Sequence, residues 1–304
     1  IMISGVIQGA SSLGIMIPPS VVLVLYGMIA RQPVGQLWMA GVFPGIMLAV
    51  LFIIYITIRC LLQPQLGPPA SKEERNIPWK QKFILLRSAI LPIVIIFLMS
   101  GLFFLGVTSL VESSAVGAIT VTVIALINKR LTWKLMVEVL RDTLSVSCMF
   151  MWVILAALAY GAVFDGLGAV YAIDRLFISR WNLGRWGVMA MMQLSYIIMG
   201  MFLDDTAMLI VVAPLYVPLV IKLGFNPIWY GVLYTITCQI AYLTPPFGYN
   251  LFLMKAMAPK DFTIADIYRS VWPFVFVMIA GLIIVMIFPD IALYLPRIYF
   301  GLSK

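Results

Sequence analysis

Apolar residues fill long stretches of this chain, and short polar segments separate them. Uncharged runs occupy residues 32–58, 88–111, 143–164, 186–203 and 270–289. Each run is close to or longer than the roughly 18 apolar residues that suggest a membrane-spanning helix. The short alternating segments of a transmembrane β-barrel are not seen. The pattern therefore predicts an all-α polytopic membrane protein.

Consecutive prolines interrupt two of the apolar stretches. Pro18-Pro19 and Pro245-Pro246 lie 227 residues apart, and Pro44 and Pro273 recur 229 residues apart in the hydrophobic segments that follow. Because consecutive prolines remove two backbone donors and clash with the preceding turn, each pair predicts a broken helix. Matched breaks in two halves of a membrane protein indicate an internal repeat with a substrate and ion site.

The same pattern predicts the remaining elements. Half-helices are expected at 1–15 and 20–30, and the uncharged run 223–254 is broken at 244–248. We expect intact spans at about 36–62, 83–106, 109–127, 143–164 and 271–295, a polar loop at 63–82, a basic connection at 128–142 and an interfacial helix at 168–182.

An acidic turn separates two further apolar arms. Residues 186–203 and 207–222 flank Asp204, Asp205 and Thr206. The distribution of basic residues favours a re-entrant hairpin that returns to its own side, because a net crossing would move the basic residues after it outward. The two broken helices then run in opposite directions, which makes the repeat inverted. A water-exposed loop between two full spans is the alternative.

The counterpart of the acidic hairpin in the first repeat would fall before residue 1 at the observed offset. We therefore expect the N-terminal part of the first repeat to be missing from this sequence.

Composition narrows the class of protein. Hydrophobic residues make up 63% of the chain and charged residues 11%, which excludes an ordinary soluble domain. The net charge of +8 comes from basic residues between apolar runs, which indicates a lipid bilayer as partner and no nucleic acid. The chain contains no histidine, and its three scattered cysteines fit no zinc or disulfide spacing.

The breaks and the acidic turn carry the candidate chemistry. At a helix break, carbonyls that end one half can coordinate Na⁺, and amides that start the other half can bind a carboxylate. A carboxylate between apolar arms is costly to bury, and its oxygens suit a hard cation. For a single break, a proline kink in a packed helix is the alternative.

We predict two sets of binding residues from this chemistry. The Na⁺ ligands are expected among Ser11, Ser12, Gly14, Asp204, Asp205, Thr206, Thr244 and Gly248, and substrate-binding residues among Ser20, Pro18, Pro19, Pro245, Pro246 and Asn250. Glu112 has three open roles: it is solvated, paired or functional. The small residues that follow Glu112 favour close helix packing.

Four motifs together resemble one transporter family. They are Leu13–Ser20 (LGIMIPPS), Pro44-Gly45, Phe202–Asp205 (FLDD) and Thr244–Phe252 (TPPFGYNLF). In order and spacing they are similar to the large membrane subunit of tripartite ATP-independent periplasmic (TRAP) transporters, over essentially the whole chain. Glu112 and its small-residue run also look like this family's pattern.

The resemblance implies an elevator-type fold of the ion transporter superfamily, in which a transport domain moves against a scaffold. It implies that residues 1–62 and 186–295 form the transport domain, 83–181 the scaffold and 63–82 a cytoplasmic loop. It further implies sodium symport of a small organic anion, a carboxylate, across the bacterial inner membrane. The implied partners are a small TRAP membrane subunit and a periplasmic substrate-binding protein, and Na⁺ is the coupling ion with no other cofactor.

Three other functions compete with this hypothesis. The chain could be a stand-alone sodium/anion symporter without a binding protein, or a structural membrane anchor. An intramembrane aspartyl protease needs two aspartates that face each other from separate helices, whereas Asp204 and Asp205 are neighbours. We therefore expect a transporter and no enzyme, and the sequence does not identify which organic acid it carries.

Overall fold

A computed structural model shows a helical chain and describes residues 2–67, 90–168, 184–246, 248–259 and 262–301, with isolated positions between them. Over these ranges no strand occurs. The helices are α1 Met2–Ser12, α2 Val21–Ala30, α3 Val34–Leu62, α4 Ile90–Phe104, α5 Leu110–Ile127, α6 Trp133–Gly166, α7 Arg185–Gly200, α8 Asp205–Lys222, α9 Pro227–Leu243, α10 Tyr249–Met257, α11 Ile264–Ile287 and α12 Asp290–Phe300.

Several of these helices have the length and composition of membrane spans. In the part of the chain that the structure describes, α3, α5, α6, α8 and α11 are long and apolar enough to cross a bilayer. The shorter α1, α2 and α4 are also apolar. The predicted class, an all-α polytopic membrane protein, is confirmed.

The chain divides into two compact units. The first contains Ile1–Leu62 and Met151–Lys304, and the second contains Gln63–Phe150. Every residue that we predict to bind Na⁺ or substrate lies in the first unit. The predicted roles of transport domain and scaffold are functional assignments, and they stay predictions.

In the second unit, α5 begins with a capping box. The Ser109 N–H donates to the Glu112 carboxylate at 2.7 Å, and the Glu112 N–H donates to Ser109 Oγ at 3.3 Å. Glu112 is therefore exposed to solvent and bonded to a backbone amide at a helix start, and a functional role for it stays a prediction. A Cβ atom on Gly117 would lie 2.5 Å from the Met99 side chain, so this small residue permits close packing of α5 against α4.

Helix α9 forms the centre of the first unit. Every residue from Ile228 to Ala241 is buried, as expected for a helix that is largely apolar on all sides. Asn226 caps its start, since Asn226 Oδ1 accepts the N–H groups of Ile228 and Trp229 at 2.8 and 3.3 Å. The helices packed around α9 include α1, α2, α3, α7, α8, α10, α11 and α12.

Helices α9 and α11 run antiparallel. At one end, Trp229 Nε1 donates to the Val285 carbonyl at 2.8 Å. At the other end, the Tyr268 hydroxyl donates to the carbonyl of Pro246, just beyond α9, at 3.3 Å.

The two broken stretches have the same order of elements. Helices α1, α2 and α3 form the first set. Helices α9, α10 and α11 form a second set in the same order, shifted along the sequence by about the spacing of the proline pairs. Pro44 and Pro273 each lie inside the third helix of their set. The first helix of each set contacts the second and third helices of the other set: α1 contacts α10 and α11, and α9 contacts α2 and α3. Both Pro-Pro peptide bonds are cis.

Some predicted boundaries are wrong. The span expected at about 271–295 is two helices, because Pro289 lacks the N–H that would continue α11. Helix α11 also begins earlier, where Thr263 and Asp266 form a capping box. The basic connection 128–142 is helical from Trp133 onward. The expected interfacial helix, most of the 63–82 loop and the start of the 83–106 span lie outside the described residues.

Candidate functional site

The predicted binding residues differ widely in exposure. Ser11, Gly14, Pro19, Asp204 and Pro246 are exposed; Asp205, Thr206, Pro245 and Asn250 are half-buried; and Ser12, Pro18, Ser20, Thr244 and Gly248 are buried. A site built from them would therefore extend from the surface into the packed interior of the first unit.

The first break begins at the end of α1. Ser11 Oγ donates to the Gln8 carbonyl at 2.9 Å, and Ser12 Oγ donates to the Gly9 carbonyl at 2.8 Å. These bonds use the hydroxyl hydrogens, and each oxygen keeps lone pairs that a cation could use. Gly14 lies in the following 3₁₀ turn with open space around its Cα, since an added Cβ would meet nothing within 4 Å.

Ser20 forms the other side of the first break. Its hydroxyl donates to the Ile15 carbonyl and accepts the Leu23 N–H at 3.3 Å, so it caps α2. Its carbonyl accepts the Trp38 indole N–H at 3.2 Å. Ser20 therefore ties the end of the 3₁₀ turn to the start of α2 and to α3.

The second break follows α9. The Thr244 hydroxyl donates to the Ile240 carbonyl at 2.6 Å, and the Thr244 N–H donates to the Ala241 carbonyl at 3.1 Å. After the two prolines, Gly248 precedes α10, and a Cβ there would lie 2.7 Å from the Tyr242 carbonyl oxygen. The backbone turns back on itself closely enough at this point to require glycine.

The two breaks approach each other. Asn250, in the first turn of α10, places its Nδ2 atom 3.5 Å from Ser11 Oγ, at the outer limit of a hydrogen bond. Earlier along α1, at its interface with α11, Ser4 Oγ lies 3.2 Å from Ser270 Oγ. Polar groups from both halves of the proposed repeat therefore meet in one region.

The hairpin tip between α7 and α8 holds the two acids. Asp204 is the N-cap of α8, and its carboxylate accepts the Ala207 N–H at 3.3 Å. Asp205 Oδ1 accepts the Thr206 N–H at 2.9 Å, and this side chain is half-buried. Among the residues that the structure describes, neither carboxylate has an ion-pair partner.

The hairpin tip packs against the last turns of α9. The Tyr234 hydroxyl donates to the backbone carbonyl of Asp205 at 2.5 Å. The Tyr242 side chain interacts with the Asp205 carboxyl group. A Cβ on Gly200 would lie 2.4 Å from the Ala241 Cβ, so the first arm also approaches α9 closely.

The predicted residues thus form two groups. One joins Ser11 to Asn250 across the breaks, and the other sets Asp204–Thr206 against α9, directly before the second break. Across the described ranges, no hydrogen bond connects Asp204–Thr206 to either break directly. The roles of these residues in binding Na⁺ and substrate stay predictions.

Buried amides were missed by the sequence analysis. Gln239 is fully buried in α9, and neither its Oε1 nor its Nε2 has a hydrogen-bond partner among the described residues. Gln8 of α1 donates to Ser4 Oγ at 3.0 Å, and its Oε1 is equally buried and unpartnered. The sequence does contain a signal for them: each is a glutamine in an uncharged apolar helix, Gln8 shortly before the first break and Gln239 shortly before the second.

Two broken helices and an acidic hairpin tip in a multi-pass helical protein define a class, the membrane transport proteins. More specifically, the chain belongs to the family of the tripartite ATP-independent periplasmic transporter, DctM component, whose family model matches residues 2–291. The resemblance stated from the sequence motifs is confirmed.

Curated relatives agree with this assignment. The chain is similar to the C4-dicarboxylate TRAP transporter large permease protein DctM of Pseudomonas aeruginosa, with 28% identity over 99% of this chain and 68% of that protein. It is 26% identical to the ectoine TRAP transporter large permease protein TeaC of Halomonas elongata, over 97% of this chain and 67% of that protein. It is 25% identical to the sialic acid TRAP transporter large permease protein SiaM of Vibrio cholerae, over 99% of this chain and 68% of that protein. All three relatives are named as large permease proteins of TRAP transporters.

Proposed function

We propose that this chain acts in sodium-coupled import of a small organic anion, as part of the large membrane subunit of a TRAP transporter. The observation that carries the sodium coupling is the position of Asp205. Its half-buried carboxylate lies at a hairpin tip against the most buried helix of the unit, with no positive side chain paired to it in the described ranges. A carboxylate in such surroundings is costly without a cation.

The two helix starts after the breaks support an anionic substrate. Helices α2 and α10 begin next to proline pairs, and the amides at a helix start carry partial positive charge that favours a carboxylate. The relatives' names include C4-dicarboxylate and sialic acid transport, and acids of this kind carry such a group. We assign the substrate to the carboxylate class on these two grounds.

The reciprocal contacts support an inverted repeat. The first helix of each set contacts the second and third helices of the other set, α1 with α10 and α11 and α9 with α2 and α3. A two-fold axis that relates the two sets requires such paired contacts. Together with the re-entrant hairpin favoured by the basic residues, this arrangement supports an axis in the membrane plane. An elevator movement of the unit that carries both breaks follows as part of the proposal.

The proposed partners are a small TRAP membrane subunit and a periplasmic binding protein that delivers the substrate at a bacterial inner membrane. They follow from the family, whose description names a tripartite periplasmic transporter.

Uptake by reconstituted vesicles tests the proposal. The membrane protein that carries this chain is reconstituted with its small subunit, and a panel of labelled organic acids is offered with and without binding protein. We expect accumulation of one acid under an inward Na⁺ gradient and none under an equal K⁺ gradient. Equal uptake in K⁺ would contradict sodium coupling, and undiminished uptake without binding protein would favour a stand-alone symporter.

A further inference from the structure

Tyr234 connects the central helix to the acidic hairpin tip. It lies midway along α9, is fully buried, and packs against the rings of Tyr26 and Tyr196 with centroid distances of 6.1 and 5.0 Å. Its hydroxyl leaves this aromatic cluster and donates to the Asp205 backbone carbonyl at 2.5 Å. The bond therefore crosses from α9 to the first residue of α8.

The acceptor of this bond is informative. A buried hydroxyl requires a partner, and most find one nearby in the core. Tyr230, one turn earlier on α9, does so by donating to the Tyr196 hydroxyl at 3.0 Å. Tyr234 instead bonds the backbone of the residue that carries the half-buried carboxylate. Tyr242, further along α9, interacts with the carboxyl group of the same residue.

We infer that Tyr234 is a positioning residue for sodium binding, because it holds the backbone of Asp205 against α9 while Tyr242 holds the side chain. This inference rests on the proposed function, in which Asp205 is a Na⁺ ligand. Without the Tyr234 hydroxyl, the hairpin tip loses a fixed point and the carboxylate must be ordered when Na⁺ binds. The free-energy cost of ordering the carboxylate then lowers the affinity for Na⁺ and leaves the maximal transport rate at saturating Na⁺ unchanged.

The test compares two tyrosines on the same helix. Tyr234→Phe and Tyr230→Phe each remove one buried hydroxyl and keep the ring, but only the first releases Asp205. In vesicles containing the transporter, we expect Tyr234→Phe to raise the Na⁺ concentration for half-maximal uptake by about fivefold, the effect of one net hydrogen bond. Tyr230→Phe should keep the wild-type value.

Two results would overturn the inference: an unchanged Na⁺ requirement in Tyr234→Phe, or an equal rise in both variants, which would indicate general loosening of the core. If Tyr234→Phe does not reach the membrane, Tyr242→Phe removes the less buried of the two hydroxyls. We expect it to raise the Na⁺ requirement relative to Tyr230→Phe, and no rise would again reject the positioning role.

Asp205→Asn separates this inference from the proposed function. If Asp205→Asn keeps the wild-type Na⁺ requirement, Asp205 does not bind the ion and the proposed site is wrong. If Asp205→Asn raises the requirement while Tyr234→Phe does not, the ion site stands and only the positioning role of Tyr234 fails.

Discussion

Adjacent aspartates at the hairpin tip have different surroundings. Asp204 is exposed and its carboxylate caps α8, a role that many surface aspartates have. Asp205 is half-buried, and α9 contacts it through two tyrosines. The structure therefore separates two residues that the sequence presents as an equivalent pair.

Substituting each acid by asparagine tests this difference. We expect Asp205→Asn to raise the Na⁺ requirement for uptake by more than about tenfold, because it removes a charged ligand. Asp204→Asn should change it by less than about threefold, since asparagine caps a helix as well as aspartate does. Uptake measured over a range of Na⁺ concentrations gives both values. A larger effect at Asp204 would reverse the assignment.

At this scale the sequence predicted the acids but not their partners. An acidic pair between apolar arms is visible in the pattern, because charges are rare in this chain. The tyrosines that contact Asp205 belong to α9, whose residues are nearly all buried. The local sequence pattern therefore does not distinguish Tyr234 from Tyr230. Only tertiary packing decides which hydroxyl meets the hairpin.

Among the elements, the breaks were the most predictable. Consecutive prolines stop a helix by a local mechanism, so α1, α2, α9 and α10 lie close to their expected positions. The boundaries near charged residues were less predictable, as shown by α6 and α11, which start before their apolar cores. In those segments capping and helix propensity extend a helix beyond its hydrophobic run.

The glycines of the two breaks give a matched pair of substitutions. Gly248→Ala places a Cβ 2.7 Å from the Tyr242 carbonyl oxygen, whereas Gly14→Ala meets nothing within 4 Å. We expect Gly248→Ala to lower the free energy of unfolding by about 1–3 kcal/mol and to reduce uptake. Gly14→Ala should stay within about 0.5 kcal/mol of wild type. Thermal unfolding of the purified proteins measures the difference, and equal stability of the two variants would disagree with the close turn at Gly248.

For the whole molecule, the spacing of the proline pairs predicted a repeat, and the reciprocal contacts between its two sets of helices are consistent with it. Periodicity and composition were sufficient for the membrane class because a bilayer requires long apolar helices. They were not sufficient for the site, because the approach of Ser11 to Asn250 joins residues 239 positions apart. Such contacts depend on how helices pack and leave no local pattern.

The account depends on one claim: the two helix breaks meet at the transport site. Cross-linking a Ser11→Cys/Asn250→Cys variant tests it most directly, in a background where Cys60, Cys148 and Cys238 are replaced by alanine. A short bifunctional thiol reagent should join the two positions, as detected by mass spectrometry, and abolish the Na⁺-driven uptake that the untreated double variant retains, beyond any loss that the same reagent causes in either single variant. Failure of the two positions to cross-link, or full uptake after complete cross-linking, would contradict the claim.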